Sequence, residues 1–178
     1  MLLKVNTVMT TKSYRTRIVT YISALLLLPV SLTSCAQSDS SISRISLQRT
    51  ACFGVCPIYR VTIYPDGLVE FQGERFVESL GEHSTRVNPE NFQRLAAVAT
   101  DIEFFLLEDE YRVRTEPDGT VIAVSDLPSR ITTVVKDGQE KSVLNYFSGP
   151  QELERFELLI DELTGTDRWI GEAGAPAF

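Results

Sequence analysis

YRVTIYPDGLVEFQ, residues 59–72, is the stretch that decides the fold. Apolar and polar residues alternate on both sides of Pro65-Asp66-Gly67, and a period of two is typical of strands with one buried face. The Pro-Asp-Gly segment is a turn signal of the kind that joins hairpin strands. The stretch therefore predicts a β-hairpin with Tyr59, Val61 and Ile63 on one face. It lacks the strand–helix alternation of a Rossmann or thioredoxin-like frame.

Further strands are predicted on both sides of this hairpin. Residues 44–50 alternate in the same way, and residues 83–87 form a weaker strand candidate. Residues 131–147 form the clearest hairpin of the sequence, around the turn at Asp137-Gly138. Residues 111–129 contain several Pro and Gly breakers and are predicted to be irregular.

Two helices are predicted from start signals and apolar spacing. Asn88-Pro89-Glu90 supplies a capping side chain, Pro at the first helical position and an acid in the first turn. A second helix follows Gly149-Pro150, and both helices repeat apolar residues along one stripe. The order strands, helix, hairpin, helix predicts a single α+β domain. We expect an antiparallel sheet of about five to six strands with two helices packed on one face.

The N-terminus is typical of a secretory signal peptide. Residues 1–34 contain four basic residues and no acidic ones, and an apolar run extends from Ile18 to Leu32. A basic segment before an apolar core and a small-residue exit is the pattern of such a leader. Pro29 interrupts the run, which is shorter than the ~20 residues a membrane span needs. Residues 1–34 are therefore predicted to be a signal peptide, with either Met1 or Met9 as the start.

Leu32-Thr33-Ser34-Cys35 resembles the lipobox of bacterial lipoproteins. In that family a diacylglycerol is attached to the Cys sulfur and the chain is cleaved just before this Cys. The new amino group is then acylated by a fatty acid such as palmitate. The resemblance implies that acylated Cys35 binds the protein to a lipid bilayer in the bacterial cell envelope. Ala36 after the Cys implies, by the family's sorting pattern, the outer membrane facing the periplasm. A chance cysteine after an ordinary signal peptide is the alternative.

The rest of the chain divides into a tether, an acidic domain and a tail. Residues 35–43 comprise the lipid site Cys35 and a Ser-rich stretch whose composition is typical of a flexible tether. Residues 44–171 are predicted to be the globular domain, and residues 172–178 a loose tail. Residues 35–178 hold 13 basic and 24 acidic side chains, a formal net charge of −11. Such an acidic body argues against nucleic acid as a partner, because phosphate binding depends on Lys and Arg.

Cys52 and Cys56 remain once Cys35 is assigned to lipid. In an oxidising compartment a close pair of cysteines is usually a disulfide. A disulfide needs Cα atoms about 4.4–6.8 Å apart, whereas a straight strand would separate these two by about 13 Å. The chain must therefore turn between them, and Gly54 permits the turn. The alternative is thiol redox or Cu(I) handling, since Cys-x-x-x-Cys-Pro is similar to the motif of thioredoxin-like copper chaperones and thiolates suit Cu(I).

Other candidate sites are weaker. His83 is the only His, and Pro57 follows the second Cys, so neither a zinc site with several His ligands nor a c-type haem site is predicted. We predict no catalytic residue and no cofactor, because phosphate loops and Ser nucleophile motifs are missing from the sequence. The acidic residues of the two helices are expected to be solvated. Tyr59, Tyr64, Arg168 and Trp169 form a candidate binding surface, unless Trp169 instead packs on the sheet.

Three segments of the body resemble one family. They are CFGVCPIY at residues 52–59, Asp126-Leu127-Pro128 before the second hairpin, and the closing Arg168-Trp169-Ile170. Together they resemble the C-x-G-x-C-P-x-Y pattern of a bacterial domain of unknown function that is often found on envelope lipoproteins. The resemblance covers residues 44–171 and implies a fold and a location but no activity. We therefore expect a lipoprotein that binds another envelope protein or a small ligand and is not an enzyme.

Overall fold

The computed structural model describes residues 41–171. The predicted signal peptide, Cys35, most of the predicted tether and the tail at residues 172–178 lie outside the described residues. Among residues 41–171, no helix combines the length and apolar character that crossing a membrane requires.

The described chain folds as an α+β domain with one large sheet, one small sheet and two main helices. Its strands are β1 (Ile42–Arg49), β2 (Ile58–Ile63), β3 (Leu68–Arg75), β4 (Gly81–Arg86), β5 (Glu110–Tyr111), β6 (Val113–Thr115), β7 (Val121–Ala123), β8 (Arg130–Lys136) and β9 (Gln139–Asn145). Its helices are α1 (Pro89–Asp101), α2 (Gln151–Thr164) and the short α3 (Asp167–Ile170), and a 3-10 turn spans Phe104–Leu106. The predicted α+β class is confirmed.

The large sheet has seven strands in the order β4-β3-β2-β1-β8-β9-β5. Its neighbouring strands are antiparallel except β5, which runs parallel to β9, so the sheet is mixed. The prediction of five to six antiparallel strands therefore agrees only roughly with the observed sheet of seven strands, one of which is parallel to its neighbour. Residues 111–129 are also not irregular throughout, because β6 and β7 pair in a separate two-stranded sheet. Both strands are only three residues long, too short for an alternating pattern to reveal them.

The core lies between one face of the large sheet and helices α1 and α2. Strand register aligns the apolar faces, with Leu47 opposite Val61 and Val61 opposite Phe71. Helices α1 and α2 contact each other, and both contact β1. Their apolar stripes meet the alternating strand residues in one cluster, which includes Ile45, Leu47, Val61, Ile63, Val69, Phe71, Val134, Val143, Phe92, Leu95, Leu153, Phe156 and Ile160.

The helix boundaries follow the predicted signals. Asn88 accepts a hydrogen bond from the Glu90 backbone N–H at 3.0 Å, and Pro89 occupies the first helical position of α1. Helix α2 begins after Pro150 and ends at Gly165, whose φ of 67° is the left-handed conformation that glycine tolerates. Pro150 and Gly165 therefore mark the two ends of α2, which carries the polar residues described next.

Candidate functional site

A disulfide closes the loop between β1 and β2. Cys52 is bonded to Cys56, and their Cα atoms lie 5.8 Å apart, so the predicted disulfide is present. The backbone N–H of Gly54 donates to the Cys52 carbonyl at 3.0 Å, and Gly54 has a φ of 156°. Few side-chain-bearing residues adopt this backbone, which explains the glycine at the turn.

The disulfide loop presents apolar side chains to solvent. Phe53 is 89% exposed and Val55 is 69% exposed. A second loop lies alongside, and the Phe53 backbone N–H donates to the Asp126 carbonyl at 3.3 Å. The exposed Leu127 belongs to this second loop, and its backbone N–H donates to the Tyr146 hydroxyl at 3.1 Å. We call Phe53, Val55 and Leu127 the apolar tip.

One carboxylate holds both stems of the disulfide loop. Arg49, the last residue of β1, donates to Asp161 Oδ2 from Nε at 2.9 Å and from Nη2 at 2.6 Å. Tyr59, near the start of β2, donates from its hydroxyl to Asp161 Oδ1 at 2.7 Å. Burial, and then the Asp161 charge, raise the pKa of Tyr59 far above its ordinary value, so its hydroxyl remains a donor. Asp161 therefore ties both stems to α2.

A second carboxylate, Glu157, lies one helical turn before Asp161. Asn145 Nδ2 donates to Glu157 Oε2 at 3.1 Å, and Arg130 Nε forms an ion pair with the same oxygen at 2.8 Å. The Arg130 N–H is not aligned for a hydrogen bond across this short distance, so the contact is ionic only. Arg130 also donates to Glu154 Oε1 at 3.2 Å.

Glu157 is buried but not fully paired. Its side chain is 0% exposed, and Oε1 has no hydrogen-bond partner. Burial raises the pKa of Glu157 to about 7, although Arg130 and the Asn145 hydrogen bond act in the opposite direction. A buried carboxyl with one free oxygen favours the protonated form near neutral pH. Glu157 is therefore a buried group at this end of the sheet whose charge depends on pH near neutrality.

The four residues of the candidate binding surface do not lie together. Tyr59 and Trp169 are buried on the helix-covered side of the large sheet, where Phe71 lies between them with ring centroids 5.3 Å and 4.8 Å away. These two residues therefore belong to the core, and Trp169 packs on the sheet, as the alternative interpretation predicts. Arg168 is exposed, and its guanidinium lies 5.3 Å from the centre of the Trp169 ring.

Tyr64 lies on the face of the large sheet opposite helices α1 and α2. It lines a polar depression of about 320 Å³ together with Arg44, Arg60 and short hydroxyl side chains such as Ser46. Its hydroxyl donates to Glu70 at 2.8 Å. Tyr64 is therefore separated by the sheet from Tyr59 and Trp169, because residues at odd and even spacing along a strand face opposite sides.

Sequence reasoning missed Asp161 and Glu157, which we expected to be solvated. The missed signal is helical spacing. Glu157 lies four residues after Leu153, and Asp161 four residues after Glu157, so both follow the buried stripe of α2. An acid on an apolar stripe is a candidate for a buried pair.

No metal site is apparent in the described part of the chain. Within residues 41–171, no group of three or more His, Cys, Asp or Glu side chains is placed to hold a metal ion. His83 lies on the edge strand β4, where Nε2 is 3.0 Å from the Leu80 carbonyl oxygen.

The sequence matches the family described as Domain of unknown function (DUF6438) over residues 43–164. The match covers most of the described domain, and the chain belongs to this family. No curated protein shows a significant match to the chain.

Replacing both loop cysteines, as Cys52→Ser/Cys56→Ser, is expected to leave the domain folded. The ring closes only five residues, so its loss should lower the free energy of unfolding by about 2 kcal/mol in the loop-entropy estimate. Urea unfolding followed by circular dichroism measures this change. Chemical reduction of the unsubstituted protein is the matched control and should give the same shift, whereas loss of the folded spectrum would contradict the prediction.

Glu157→Gln is expected to change how stability depends on pH. With a folded pKa of about 7 and an ordinary unfolded pKa of about 4.3, the folded state binds more protons between these values. The stabilisation is complete below the unfolded pKa and is lost as pH rises through the folded pKa. The unfolding free energy of the unsubstituted protein should therefore fall relative to Glu157→Gln between about pH 4.5 and 7. Parallel curves from urea unfolding at several pH values would disprove this.

Proposed function

We propose that this protein is a lipid-anchored module of the bacterial cell envelope that acts by binding another envelope protein through its apolar tip. The observation that carries the proposal is Phe53, which is 89% exposed on a five-residue ring that a disulfide closes. An isolated exposed apolar residue is common on protein surfaces. Three exposed apolar side chains on two loops that a backbone hydrogen bond joins are less common and are typical of an interaction site.

The tip is preorganised, which favours binding. The disulfide fixes the ring, Asp161 fixes both stems, and backbone hydrogen bonds join the ring to the second loop. Ordering flexible loops on binding costs free energy, and a loop that is already ordered avoids this cost. Phe53 also has the size of an aromatic anchor that fills a pocket on a partner.

Charge indicates what kind of partner fits. Residues 35–178 have a formal net charge of −11, and the exposed Asp126 lies beside the tip. Nucleic acid and anionic lipid headgroups carry the same sign of charge and are unsuitable partners. We therefore propose a protein partner with an apolar pocket and a basic rim, whose opposite charge would speed association.

The proposed anchor is Cys35, and its support is the lipobox resemblance at Leu32–Cys35. Cys35 lies six residues before Ser41, so an extended tether spans at most about 20 Å. A single acyl chain binds a membrane only marginally, whereas the several chains of a lipoprotein hold it stably. Ala36 after the cysteine supports an outer-membrane location facing the periplasm.

Thiol redox or Cu(I) handling by Cys52 and Cys56 is the competing function. Reactive thiols of this kind are often activated by a helix N-terminus, which lowers the thiol pKa. Here the pair lies in a loop between two antiparallel strands, with β2 beginning at Ile58. The loop position favours the structural disulfide.

Processing of the chain tests the anchor. In a bacterial host, the protein should reach the membrane fraction without residues 1–34 and with the added mass of lipid on Cys35. Cys35→Ser should keep the leader and carry no lipid, because the acceptor sulfur is missing. Cys52→Ser/Cys56→Ser is the matched control and should be processed normally. An intact leader on the unsubstituted protein, read by mass spectrometry, would disprove the anchor.

Crosslinking in the cell envelope tests the apolar tip. A photoreactive amino acid in place of Phe53 should form an adduct with a second protein. Val55→Glu should reduce its yield about tenfold, since a charge in an apolar contact costs more than about 1.4 kcal/mol. Leu80→Glu, on a different loop with a similarly exposed apolar residue, should leave the adduct unchanged. An adduct of twice the mass of this chain, or one equally sensitive to both variants, would disprove the proposal.

A further inference from the structure

A second apolar surface lies at the opposite end of β1. Ile42, Ala99, Phe104, Phe105 and Leu106 line a groove of about 260 Å³, which we call the N-terminal groove. Glu103 has a φ of 51° at the end of α1, and this left-handed turn starts the 3-10 turn at Phe104–Leu106. Leu106 is 77% exposed, although Phe104 beside it is buried. The groove therefore presents apolar surface to its surroundings.

The chain enters the domain beside this groove at a fixed point. Ser41 donates to Asp137 Oδ1 from its backbone N–H at 3.0 Å and from its hydroxyl at 3.1 Å. The Asp137 backbone N–H donates in return to the Ser41 carbonyl at 3.2 Å. Ile42 then lies opposite Lys136 in the sheet, and both residues border the groove. These bonds hold the end of the tether against the β8–β9 turn.

We propose that the N-terminal groove rests on the bilayer that holds the acyl chains of Cys35, with Phe105 and Leu106 at the boundary between headgroups and acyl chains. This inference rests on the proposed lipid anchor. Because Cys35 lies within about 20 Å of Ser41 along an extended chain, the anchor keeps the groove close to the membrane. Tethering raises the effective concentration of membrane at the groove, so a small apolar contact suffices.

Charge at the groove supports an apolar contact with the membrane. One acid, Glu103, and one base, Lys136, line the groove and balance each other. Lys136 Nζ lies 5.9 Å from the centre of the Phe105 ring, so its ammonium can stay in the headgroup layer while the ring sits deeper. The contact then depends on apolar side chains and should not require anionic lipid.

The tether itself does not suit the groove. Residues 36–40 are Ala-Gln-Ser-Asp-Ser, which offer no large apolar side chain to cover Phe105 and Leu106. Burying polar side chains there would cost free energy without compensating hydrogen bonds. A bilayer supplies apolar contacts at the place where the anchor holds the domain.

Quenching of tryptophan by brominated lipid tests the inference on the full, lipidated chain. Leu106→Trp and Phe53→Trp are each reconstituted into vesicles of phosphatidylcholine with plain or brominated acyl chains. Emission from Leu106→Trp should fall about twofold in brominated vesicles, since interfacial residues reach about 5–10 Å into the headgroup and acyl boundary. Phe53→Trp and the unsubstituted protein, which carries only the buried Trp169, should show no such loss. The quenching should occur in these vesicles, which contain no anionic lipid, because the contact depends on apolar side chains.

The outcomes separate this inference from the proposed anchor. Mass spectrometry of the same sample measures whether Cys35 carries lipid. If the chain carries none, both the proposed anchor and this inference are wrong. A lipidated chain in which Leu106→Trp is not quenched overturns this inference alone, as does quenching of Phe53→Trp instead. If the emission wavelength of Leu106→Trp shifts only at high protein density, the groove is a contact between copies of this chain. That outcome also overturns the inference.

Discussion

The position of the disulfide loop depends on the hydrogen bonds that the Asp161 carboxylate accepts from Arg49 and Tyr59. Arg49 and Tyr59 bind its two oxygens from opposite stems of the loop, and Thr166 adds a third donor at 3.2 Å. The disulfide fixes the shape of the ring, whereas the stems and the hydrogen bond from Phe53 to the Asp126 carbonyl fix how the ring sits on the domain. Buried ion pairs often add little net stability, because desolvation offsets their attraction. The contribution of Asp161 is therefore geometric, since its hydrogen bonds set the direction of the loop.

Asp161 and Glu157 show how two acids on one helix acquire different properties. Each Asp161 oxygen accepts hydrogen bonds, whereas Glu157 Oε1 accepts none and Oε2 receives a misaligned Arg130. A buried carboxyl with a free oxygen gains from a proton, and burial raises the pKa of Glu157 to about 7. Arg130, the ion-pair partner of Glu157, is the first residue of β8 and directly follows the second loop.

Local patterns predicted most of the fold and little of the site. Alternation and capping residues predict the strands of the hairpins and the helix starts, because these signals lie within a few residues. The parallel pairing of β5 with β9 leaves no such local trace. Asp161 is separated from Tyr59 by 102 positions and from Arg49 by 112, so no spacing rule connects them. The burial of Tyr59 was predictable, since it shares a strand face with Val61 and Ile63.

Strand β1 determines how the two proposed surfaces relate. It is hydrogen bonded to β2 on one side and β8 on the other, so it is held as a rigid element inside the sheet. The N-terminal groove lies at Ile42 and the disulfide loop follows Arg49, which at strand geometry places the two ends about 23 Å apart. With the groove on a bilayer, as proposed, the apolar tip lies at the end of β1 that is farther from the anchor. A partner that binds the tip must then present its pocket within a few tens of ångströms of the same membrane, which favours a protein that is itself held at the membrane.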